Sequence, residues 1–319
     1  MAPPEITALV KTLVGEQGFC RVGIAPAEPV RRADYYQRWL TAGRHGRMEY
    51  LARNVPIRLD PRRVLDGARS MIVVAHPYRQ AAPDKPDDRP RGRVAMYAWG
   101  RDYHKVVKRK LFAVCDRLRD EVPQPFEVRV CIDTAPVIER ELAARAGIGW
   151  IGKNTMVIDS QIGSHFFLGV VATTLELVCD SAARDRCGTC TRCLRACPAG
   201  ALCAPYEMDA SRCISYLTVE LREDIPRKLH AAMGDWVFGC DICQDVCPYN
   251  RRSQLQSDPA YAIRAPGPFP PLEDVLGWSE DDYRRTLAGS AMKRATLTML
   301  ERNARTALRN LERADEIED

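Results

Sequence analysis

The chain has 319 residues, of which 46% are hydrophobic and 28% charged, and its 47 basic and 42 acidic side chains give a net charge of +5. These values are ordinary for a soluble globular protein of two or three domains, and the charge alone is too small to indicate nucleic-acid binding. Thirteen cysteines would be typical of a secreted disulfide-rich protein only in a much shorter chain. No export signal or membrane span is predicted, so we expect a cytoplasmic protein that contacts no membrane.

The first 178 residues alternate between helical and strand patterns. An apolar stripe predicts a first helix from Ile6 to Val14, and a proline-rich, charged segment over 81–92 predicts a surface excursion. Strands are predicted over 70–78, 126–132 and 164–175, and helices over 104–120 and 136–147. This alternation predicts one mixed domain over residues 1–178, of the α/β or α+β class.

Asp133 stands at the end of the predicted strand 126–132, directly before a predicted helix. Its carboxylate could cap that helix, or it could be a catalytic group presented at the end of a strand.

The run AGIGWIGKNT (146–155) then combines three glycines with Lys153, Asn154 and Thr155. Glycines let a backbone approach a bulky ligand closely, so this run predicts a binding loop. It does not match a nucleotide P-loop or a Rossmann fingerprint.

Two cysteine runs follow, and their spacing predicts iron–sulfur chemistry. CGTCTRCLRACP (187–198) reads C-x2-C-x2-C-x3-C-P, and CDICQDVCP (240–248) repeats the scheme with one cysteine missing. In two-cluster ferredoxins the fourth cysteine of each run ligates the other cluster. The predicted ligands are therefore Cys187, Cys190, Cys193 and Cys247 for one cluster, and Cys197, Cys240, Cys243 and one further cysteine for the other.

The further cysteine is either Cys203 or Cys213, and we favour Cys213 because it opens a predicted amphipathic helix. Zinc sites usually use two separated C-x2-C pairs, so zinc fits this spacing less well than a cubane does, and structural disulfides fit less well still. The runs predict a ferredoxin-like electron-transfer module over residues 179–255.

Residues 256–319 begin with proline-rich turns and end in an apolar stripe from Leu297 to Leu311, which predicts a short helical segment. Lysine and arginine are enriched over 101–119 and 289–313. Each of these basic runs, taken alone, is better explained as a solvated helix face than as an RNA-binding surface.

Several long motifs together resemble epoxyqueuosine reductases. They are IDTAPVIERELAARAGIGWIGKNT (132–155), the two cysteine runs, RCISYLTVE (212–220), DWVFGCDICQDVCPYN (235–250) and MYAWGRDYH (96–104). The resemblance implies an α+β protein with an N-terminal cobalamin-binding domain, a module with two 4Fe–4S clusters and a truncated HEAT-like helical segment. It also implies reduction of the epoxide of epoxyqueuosine at the wobble position of tRNA, which gives queuosine.

The resemblance further implies roles for individual residues. Asp133 matches the family's proton donor and Cys213 the eighth cluster ligand. The segments that surround the corrin contain Arg58, Tyr97, Lys153, Asn154, Thr155, Ser164, Ser215 and Asp241. A donor must hold a proton near neutral pH, and we expect burial against the corrin to raise the pKa of Asp133 accordingly.

The implied partners are the anticodon stem-loop of tRNA, held by the two basic runs, and a low-potential electron donor such as a flavodoxin or ferredoxin. We expect a monomer. The cobalamin signature D-x-H-x-x-G is absent, in agreement with a family that binds the corrin without a histidine on its lower face. The chain departs from the family in its short C-terminal segment and in ALRN (307–310) where the family has ALGN.

Two alternatives stay open on the sequence alone. One is another cobalamin-dependent iron–sulfur enzyme, such as a reductive dehalogenase. The other is an electron-transfer protein that binds no corrin and uses its N-terminal domain only to dock a redox partner.

Overall fold

The computed structural model describes the backbone of residues 1–318 and the side chains of all of these except Gln256 and residues 314–318. The helices are α1 (Pro3–Glu16), α2 (Ala33–Thr41), α3 (Glu49–Ala52), α4 (Val55–Leu59), α5 (Tyr103–Glu121), α6 (Glu139–Arg145), α7 (Arg192–Ala196), α8 (Ile214–Val219), α9 (His230–Met233), α10 (Ile242–Asp245), α11 (Pro248–Arg252), α12 (Leu272–Leu276), α13 (Glu280–Thr286) and α14 (Leu297–Glu318). The strands are β1 (Arg21–Pro26), β2 (Ser70–Arg79), β3 (Arg93–Val94), β4 (Val128–Cys131), β5 (Trp150–Ile151), β6 (Val157–Ile158), β7 (Phe166–Thr173), β8 (Trp236–Phe238) and β9 (Gln256–Ser257).

The central sheet has the strand order β1-β2-β7-β4, with β9 paired to the end of β2, and every neighbouring pair is antiparallel. The predicted strands 70–78 and 164–175 form the central pair β2 and β7, in which Val73 lies opposite Val170. An antiparallel sheet with helices on its faces is an α+β arrangement, so the parallel α/β alternative is wrong.

Helices cover both faces of this sheet, which explains why nearly every residue of β2 is buried. On one face, α1 and α5 pack through Val10, Val107 and Leu111. On the other face, α6 contributes Leu142 and crosses so close to β1 that a Cβ on Gly23 would lie 1.9 Å from a backbone oxygen of Ala146. Glycine is therefore required at position 23, and α6 is fixed against the sheet.

The three segments predicted from the sequence share strands and cores. Strand β3 of the first segment pairs in parallel with β8 of the cysteine module, and β9 of the third pairs with β2. The C-terminal helix α14 packs against this module through Leu300 and Ala304. Its Asn303 is fully buried and donates to the carbonyls of Thr218 and Val237, both at 2.9 Å. The predicted helical segment thus holds α8 and β8 together.

Residues 33–59, here called the cap, carry α2, α3 and α4 and lie over the cysteine module. Helices α2 and α3 contain no buried residue. The cap is attached by polar contacts instead: the Trp39 indole donates to the Met208 carbonyl at 2.7 Å, and the Arg47 amide donates to the Tyr216 hydroxyl at 2.8 Å. Within residues 1–318, none of the helices combines the length and hydrophobicity that a bilayer-spanning segment requires.

Candidate active site

Asp133 follows β4 in a backbone conformation with a φ of 45°, which is unfavourable for any residue other than glycine. Helix α6 starts only at Glu139, with Ile138 as its N-cap, so the capping interpretation of Asp133 is wrong. The direction of contact is the reverse, because the Asp133 amide donates to the Glu139 carboxylate at 2.5 Å. The Asp133 side chain is 56% exposed. Strained backbone that presents an exposed carboxyl group is typical of a functional site.

The Asp133 carboxylate lies 2.9 Å from Nε2 of His104. On the other side of the same ring, Nδ1 lies 2.8 Å from a carboxylate oxygen of Asp102, the residue that caps α5. The His104 ring stacks on Tyr103 with 4.0 Å between centroids, and Tyr103 stacks in turn on Phe167 at 4.2 Å. Two hydrogen bonds and this stack fix the imidazole against Asp133.

The electrostatics of this group differ from the expectation of a neutral Asp133. Burial favours the protonated acid, but the hydrogen bond and charge of His104 outweigh it and hold the pKa of Asp133 below its usual value. Burial opposes the charge on His104, yet the hydrogen bonds to Asp102 and Asp133 raise the pKa of His104 to about 9. Burial, with the nearby charge of Asp133, raises the pKa of Glu139 to about 8. Without a corrin the pKa of Asp133 is therefore lowered and His104 is the more basic neighbour, while the raised pKa that we expect against a bound corrin stays a prediction.

Tyr97 links this group to the cysteine module. The charges of both Asp133 and Asp241 contribute, after burial, to raising the pKa of its phenol. Asp241 lies between two predicted cluster ligands, and its carboxylate accepts from the Met96 amide at 2.7 Å. Burial raises the pKa of Asp241 to about 7. The Tyr97 ring lies 6.4 Å from that of Tyr103, which stacks on His104, so Met96 and Tyr97 connect the Asp241 loop to the Asp133 group.

The glycines of the predicted binding loop have a structural role within the protein, and the contact of this loop with a corrin stays a prediction. A Cβ on Gly149 would lie 2.3 Å from the Ile158 carbonyl oxygen, and one on Gly152 would lie 2.4 Å from the Ile158 side chain. These glycines are needed because β5 and β6 form a tight hairpin, so their absence of side chains gives no evidence of ligand approach. Lys153 donates to the carbonyls of Gly188 and Cys190, at 2.5 and 3.0 Å. The loop therefore supports the first cysteine run.

The remaining residues predicted around the corrin are mostly engaged inside the protein. Asn154 donates to the Cys243 carbonyl at 3.3 Å, and Thr155 accepts from Arg140 at 2.7 Å through its carbonyl. Ser164 is buried and donates to Gln244 at 2.8 Å. Arg58 donates to the Tyr50 carbonyl at 3.1 Å within the cap. Ser215 lies in the first turn of α8, two residues after Cys213, where burial raises the pKa of the Cys213 thiol and the backbone at Ser215 lowers it. Tyr97 therefore lies near the Asp133 group, whereas these five residues lie in segments that support the site from inside the protein.

The eight predicted ligand cysteines separate into two sets in space. Negative charge on Cys187 and Cys190 contributes, after burial, to raising the pKa of both Cys193 and Cys247, so these four lie close together. Negative charge on Cys197 and Cys213 raises the pKa of both Cys240 and Cys243 in the same way. Set one is therefore Cys187, Cys190, Cys193 and Cys247, and set two is Cys197, Cys213, Cys240 and Cys243. Cys213 is the N-cap residue of α8, whereas Cys203 is exposed, so the structure groups Cys213 with set two.

Both sets suit metal clusters in their chemistry. A cavity of about 210 Å³ is lined by all four cysteines of set one. N–H groups point at sulfurs in each set: the Trp150 indole lies 3.5 Å from Cys187, and the Ala201 amide lies 3.3 Å from Cys197. Such hydrogen bonds stabilise cluster thiolates and tune their potentials. Among the described residues, no three His, Cys, Asp or Glu side chains converge closely enough to hold a single metal ion.

The space beside Asp133 also suits a cobalamin that lacks a histidine ligand. All five histidines are engaged or buried within the protein. His104 bonds Asp102 and Asp133, and His230 lies 2.9 Å from the Ile225 carbonyl. His76 and His165 are buried, and His45 lies 3.9 Å from Glu49. The exposed Asp133 carboxyl group, Tyr97 and the Asp241 loop are the groups here that could hold the corrin of a cobalamin, with hydrogen-bond donors and acceptors and an aromatic ring.

Sequence reasoning missed three residues of this group. His104 and Tyr103 lie in the quoted motif MYAWGRDYH, and their carboxylate neighbour Asp102 is the signal that could have identified them. Arg294 was assigned to a basic run, but it forms a two-point ion pair with Glu220, at 2.9 and 2.6 Å, and its guanidinium lies 5.5 Å from the Tyr50 ring. Its charge also helps to lower the pKa of Asp133. No local sequence pattern predicted that contact.

Comparison with known proteins agrees with this arrangement. A family profile described as "Epoxyqueuosine reductase QueG, DUF1730" matches residues 58–134, and one described as "4Fe-4S double cluster binding domain" matches residues 186–250. The epoxyqueuosine reductase of Leadbetterella byssophila is 39% identical over 298 residues, which are 92% of this chain and 95% of that protein. The Escherichia coli enzyme is 37% identical over 92% of this chain and 78% of its own length.

Solved structures agree as well. An epoxyqueuosine reductase crystallised with an epoxyqueuosine-modified stem loop of tRNA-Tyr has a TM-score of 0.90 and 28% identity, over 96% of this chain and 81% of that one. A Bacillus subtilis epoxyqueuosine reductase whose catalytic aspartate loop is swung out of the active site has a TM-score of 0.86 and 27% identity, over 96% and 82% of the two chains. The chain belongs to the epoxyqueuosine reductase family, oxidoreductases of tRNA modification with two 4Fe–4S clusters and a cobalamin.

Proposed function

We propose that this chain removes the epoxide oxygen of epoxyqueuosine at the wobble position of tRNA, giving queuosine, and that it acts as a monomer in the cytoplasm. The observation that carries the proposal is the placement of Asp133: an exposed carboxyl group on positive-φ backbone, connected to the Asp241 loop of set two through His104, Tyr103 and Tyr97. Proton delivery and electron delivery can then meet at one substrate.

Set one and set two each hold one 4Fe–4S cluster in this proposal. The clusters supply one-electron transfer. Lys153 and Asn154 support them from outside by fixing the carbonyls of Cys190 and Cys243. Thiolates held by N–H donors and closed loops keep their geometry when the cluster changes charge, which limits the reorganisation that each electron transfer requires.

Tyr97 and Asp241 would help to hold a cobalamin near Asp133, and its cobalt would supply a low-valent metal for reduction of the epoxide. Arg58, Thr155, Ser164 and Ser215 act by holding the cap and the loops that enclose it. A carboxyl group that is raised in pKa, such as Asp241, can donate a hydrogen bond to a corrin amide.

Asp133 delivers protons to the substrate. Removal of an epoxide oxygen as water consumes two electrons and two protons. As a C–O bond breaks, its electron pair stays on oxygen, which takes a proton from Asp133 Oδ2. His104 Nε2 lies 2.9 Å away and supplies that proton to the carboxylate, and solvent restores it to His104, whose side chain is 33% exposed. The Bacillus subtilis relative, whose printed description names a catalytic aspartate loop, supports this role.

The anticodon stem-loop binds beside Asp133 through basic residues at the start of α5. Arg101, Lys105 and Arg109 are exposed, and none of them takes part in the ion pairs of the described residues. Lys110, Arg117 and Arg302 of the predicted basic runs are instead engaged by Asp258, Glu121 and backbone carbonyls respectively. The crystallised complex of a relative with a modified tRNA stem loop supports tRNA as the partner.

The test is an anaerobic assay of reconstituted protein on tRNA that carries epoxyqueuosine, with a chemical reductant, followed by nucleoside analysis. We expect queuosine to form with added cobalamin and not without it. A protein that contains its iron and cobalamin but leaves epoxyqueuosine unchanged would contradict the proposal.

A further inference from the structure

We propose that Arg186, Arg192 and Arg252, here called the arginine rim, form the docking surface for an acidic protein that donates single electrons to the set-one cluster. The three residues line the 210 Å³ cavity together with all four set-one cysteines. All three are exposed. The inference rests on the proposed function, because it names the surface through which that reaction receives its electrons.

The charge of this surface is unbalanced. Residues 183–196 and 248–253 contain six arginines but a single acidic residue, Asp185. Asp185 is occupied inside the loop, because its carboxylate accepts from the Cys187 amide at 2.7 Å and from the Tyr206 hydroxyl. None of the ion pairs among the described residues includes Arg186, Arg192 or Arg252. An unpaired positive surface attracts negatively charged partners and steers their approach.

The position of the two sets makes set one the entry point. Set two contains Cys240 and Cys243, which flank Asp241, and the Asp241 carboxylate accepts from the Met96 amide at 2.7 Å. The ring of the next residue, Tyr97, lies 6.4 Å from that of Tyr103, which stacks on His104, the hydrogen-bond partner of Asp133. Set one lines the surface cavity, with Arg186 and Arg192 in the same loop as its ligands and none of Tyr97, His104 or Asp133 in the cavity lining. Electron-transfer rates fall steeply with distance, so a donor must dock over the more accessible cluster. The rim surrounds that cluster.

The same charge could in principle attract RNA phosphates, but position favours a protein donor. The reacting nucleoside must reach Asp133, which lies on the set-two side. A rim at the set-one cavity is therefore useful for electron entry and is displaced from the chemistry. We accordingly assign the rim to the redox partner and leave RNA binding as an outcome of the test.

The test compares Arg186→Glu/Arg192→Glu with a matched control, Arg284→Glu/Arg285→Glu, which reverses two exposed charges on α13. Reconstituted holoenzyme is mixed anaerobically with reduced flavodoxin, without tRNA, and bleaching of the cluster absorbance is followed at low and high salt. Photoreduced deazaflavin, a small uncharged reductant, serves as the second electron source. Because no tRNA is present, the result does not depend on turnover of epoxyqueuosine.

We expect the rim variant to be reduced by flavodoxin about 10-fold or more slowly than wild type at low salt, with the difference lost at high salt. Its reduction by deazaflavin, its iron content and its affinity for the tRNA stem-loop should equal those of the control. Equal flavodoxin rates in the two variants would overturn the proposal. Loss of stem-loop affinity with unchanged flavodoxin rates would also overturn it, and would assign the rim to RNA.

Discussion

His104 lies between two carboxylates, and the number of hydrogens on its ring determines where the proton of the site resides. A neutral imidazole carries a single N–H, whereas ionised Asp102 and Asp133 can only accept hydrogen bonds. Both contacts at 2.8 and 2.9 Å are satisfied together only if His104 is charged or one of the acids is protonated. The three residues therefore share one proton that is available for transfer, and His104 is the group from which Asp133 can be recharged.

Replacing His104 with glutamine should slow turnover by a factor of ~100, because a proton relay of this kind contributes about 10²–10⁴-fold. In wild type, the rate should fall as the pH rises above about 9, where His104 loses its proton. The variant should lose this alkaline limb. The check is a pH profile of kcat under anaerobic conditions, with cobalamin and stem-loop binding measured in parallel.

His230→Gln provides the control for the histidine substitution, since His230 contacts the Ile225 carbonyl far along the chain from the relay. A His104→Gln variant with wild-type kcat and an unchanged alkaline limb would exclude the relay. Loss of cobalamin binding in proportion to the rate would indicate a structural role instead.

The resemblance implies that Lys153 contacts the corrin, whereas the structure shows its side chain bonded to the cysteine module. Its two hydrogen bonds go to the loop of set one, at Gly188 and Cys190. Lys153→Met should therefore reduce the iron content after reconstitution, toward four irons from about eight, and leave cobalamin binding nearly intact. Iron analysis and the corrin absorption spectrum measure the two effects. A variant that retains all its iron and loses cobalamin would restore the corrin-contact interpretation.

Among the secondary-structure elements, the apolar patterns of the sequence predicted the long strands and helices that form the core. The continuous apolar runs of β2 and β7 and the periodic helices α1 and α5 are all present, with their ends shifted by a few residues. Strand β1 was missed because RVGIAP is short and contains glycine and proline, and only its pairing with β2 makes it a strand. The position of Asp133 within a loop, six residues before Glu139, depends on how α6 crosses the sheet, which no local pattern records.

The buried side-chain amide of Asn303 anchors the C-terminal helix α14 to α8 and β8. Asn303 donates two hydrogen bonds to carbonyls of α8 and β8, and Asn303→Ala would leave both carbonyls buried without a partner. We expect the apparent Tm to fall by ~5 °C, since unsatisfied buried groups cost about 1–3 kcal/mol each. Thermal unfolding of the anaerobic holoenzyme is the measurement.

Arg305→Ala is the control for Asn303, because exposed Arg305 lies on the same helix and its side chain pairs only with half-buried Glu301, at 3.5 Å. An exposed pair of this kind contributes about 0–1 kcal/mol, so its Tm should stay close to that of wild type. Equal Tm values for the two variants would show that α14 is not anchored by Asn303.

At the scale of the whole molecule, strands and helices of all three predicted segments combine around one reaction space. The cysteine spacing identified seven ligands and favoured the eighth, because cluster geometry is encoded in local spacing. The cap, Glu220 and Arg294 come together only through tertiary packing, so their arrangement could not be predicted from the sequence. The same packing divides the basic runs into residues engaged within the protein and residues exposed to a partner.

Lys105 and Arg109 belong to the exposed group, and Lys105→Glu/Arg109→Glu should weaken binding of the tRNA stem-loop. Each phosphate contact removed should lower the slope of log K against log salt by about one. Binding titrations at several salt concentrations measure this, with Arg284→Glu/Arg285→Glu as the charge-matched control. Equal affinities and slopes in the two variants would place the tRNA elsewhere on the surface.

In the proposed reaction, electrons delivered through two cysteine-bound clusters meet protons delivered by Asp133. Asp133→Asn separates the two deliveries, because the amide keeps the shape of the side chain and cannot transfer a proton to the departing oxygen. With iron and cobalamin at wild-type levels, we expect anaerobic incubation of the variant with epoxyqueuosine-bearing tRNA to yield queuosine at least ~100-fold more slowly than wild type. Formation of queuosine at the wild-type rate would exclude Asp133 as the proton donor.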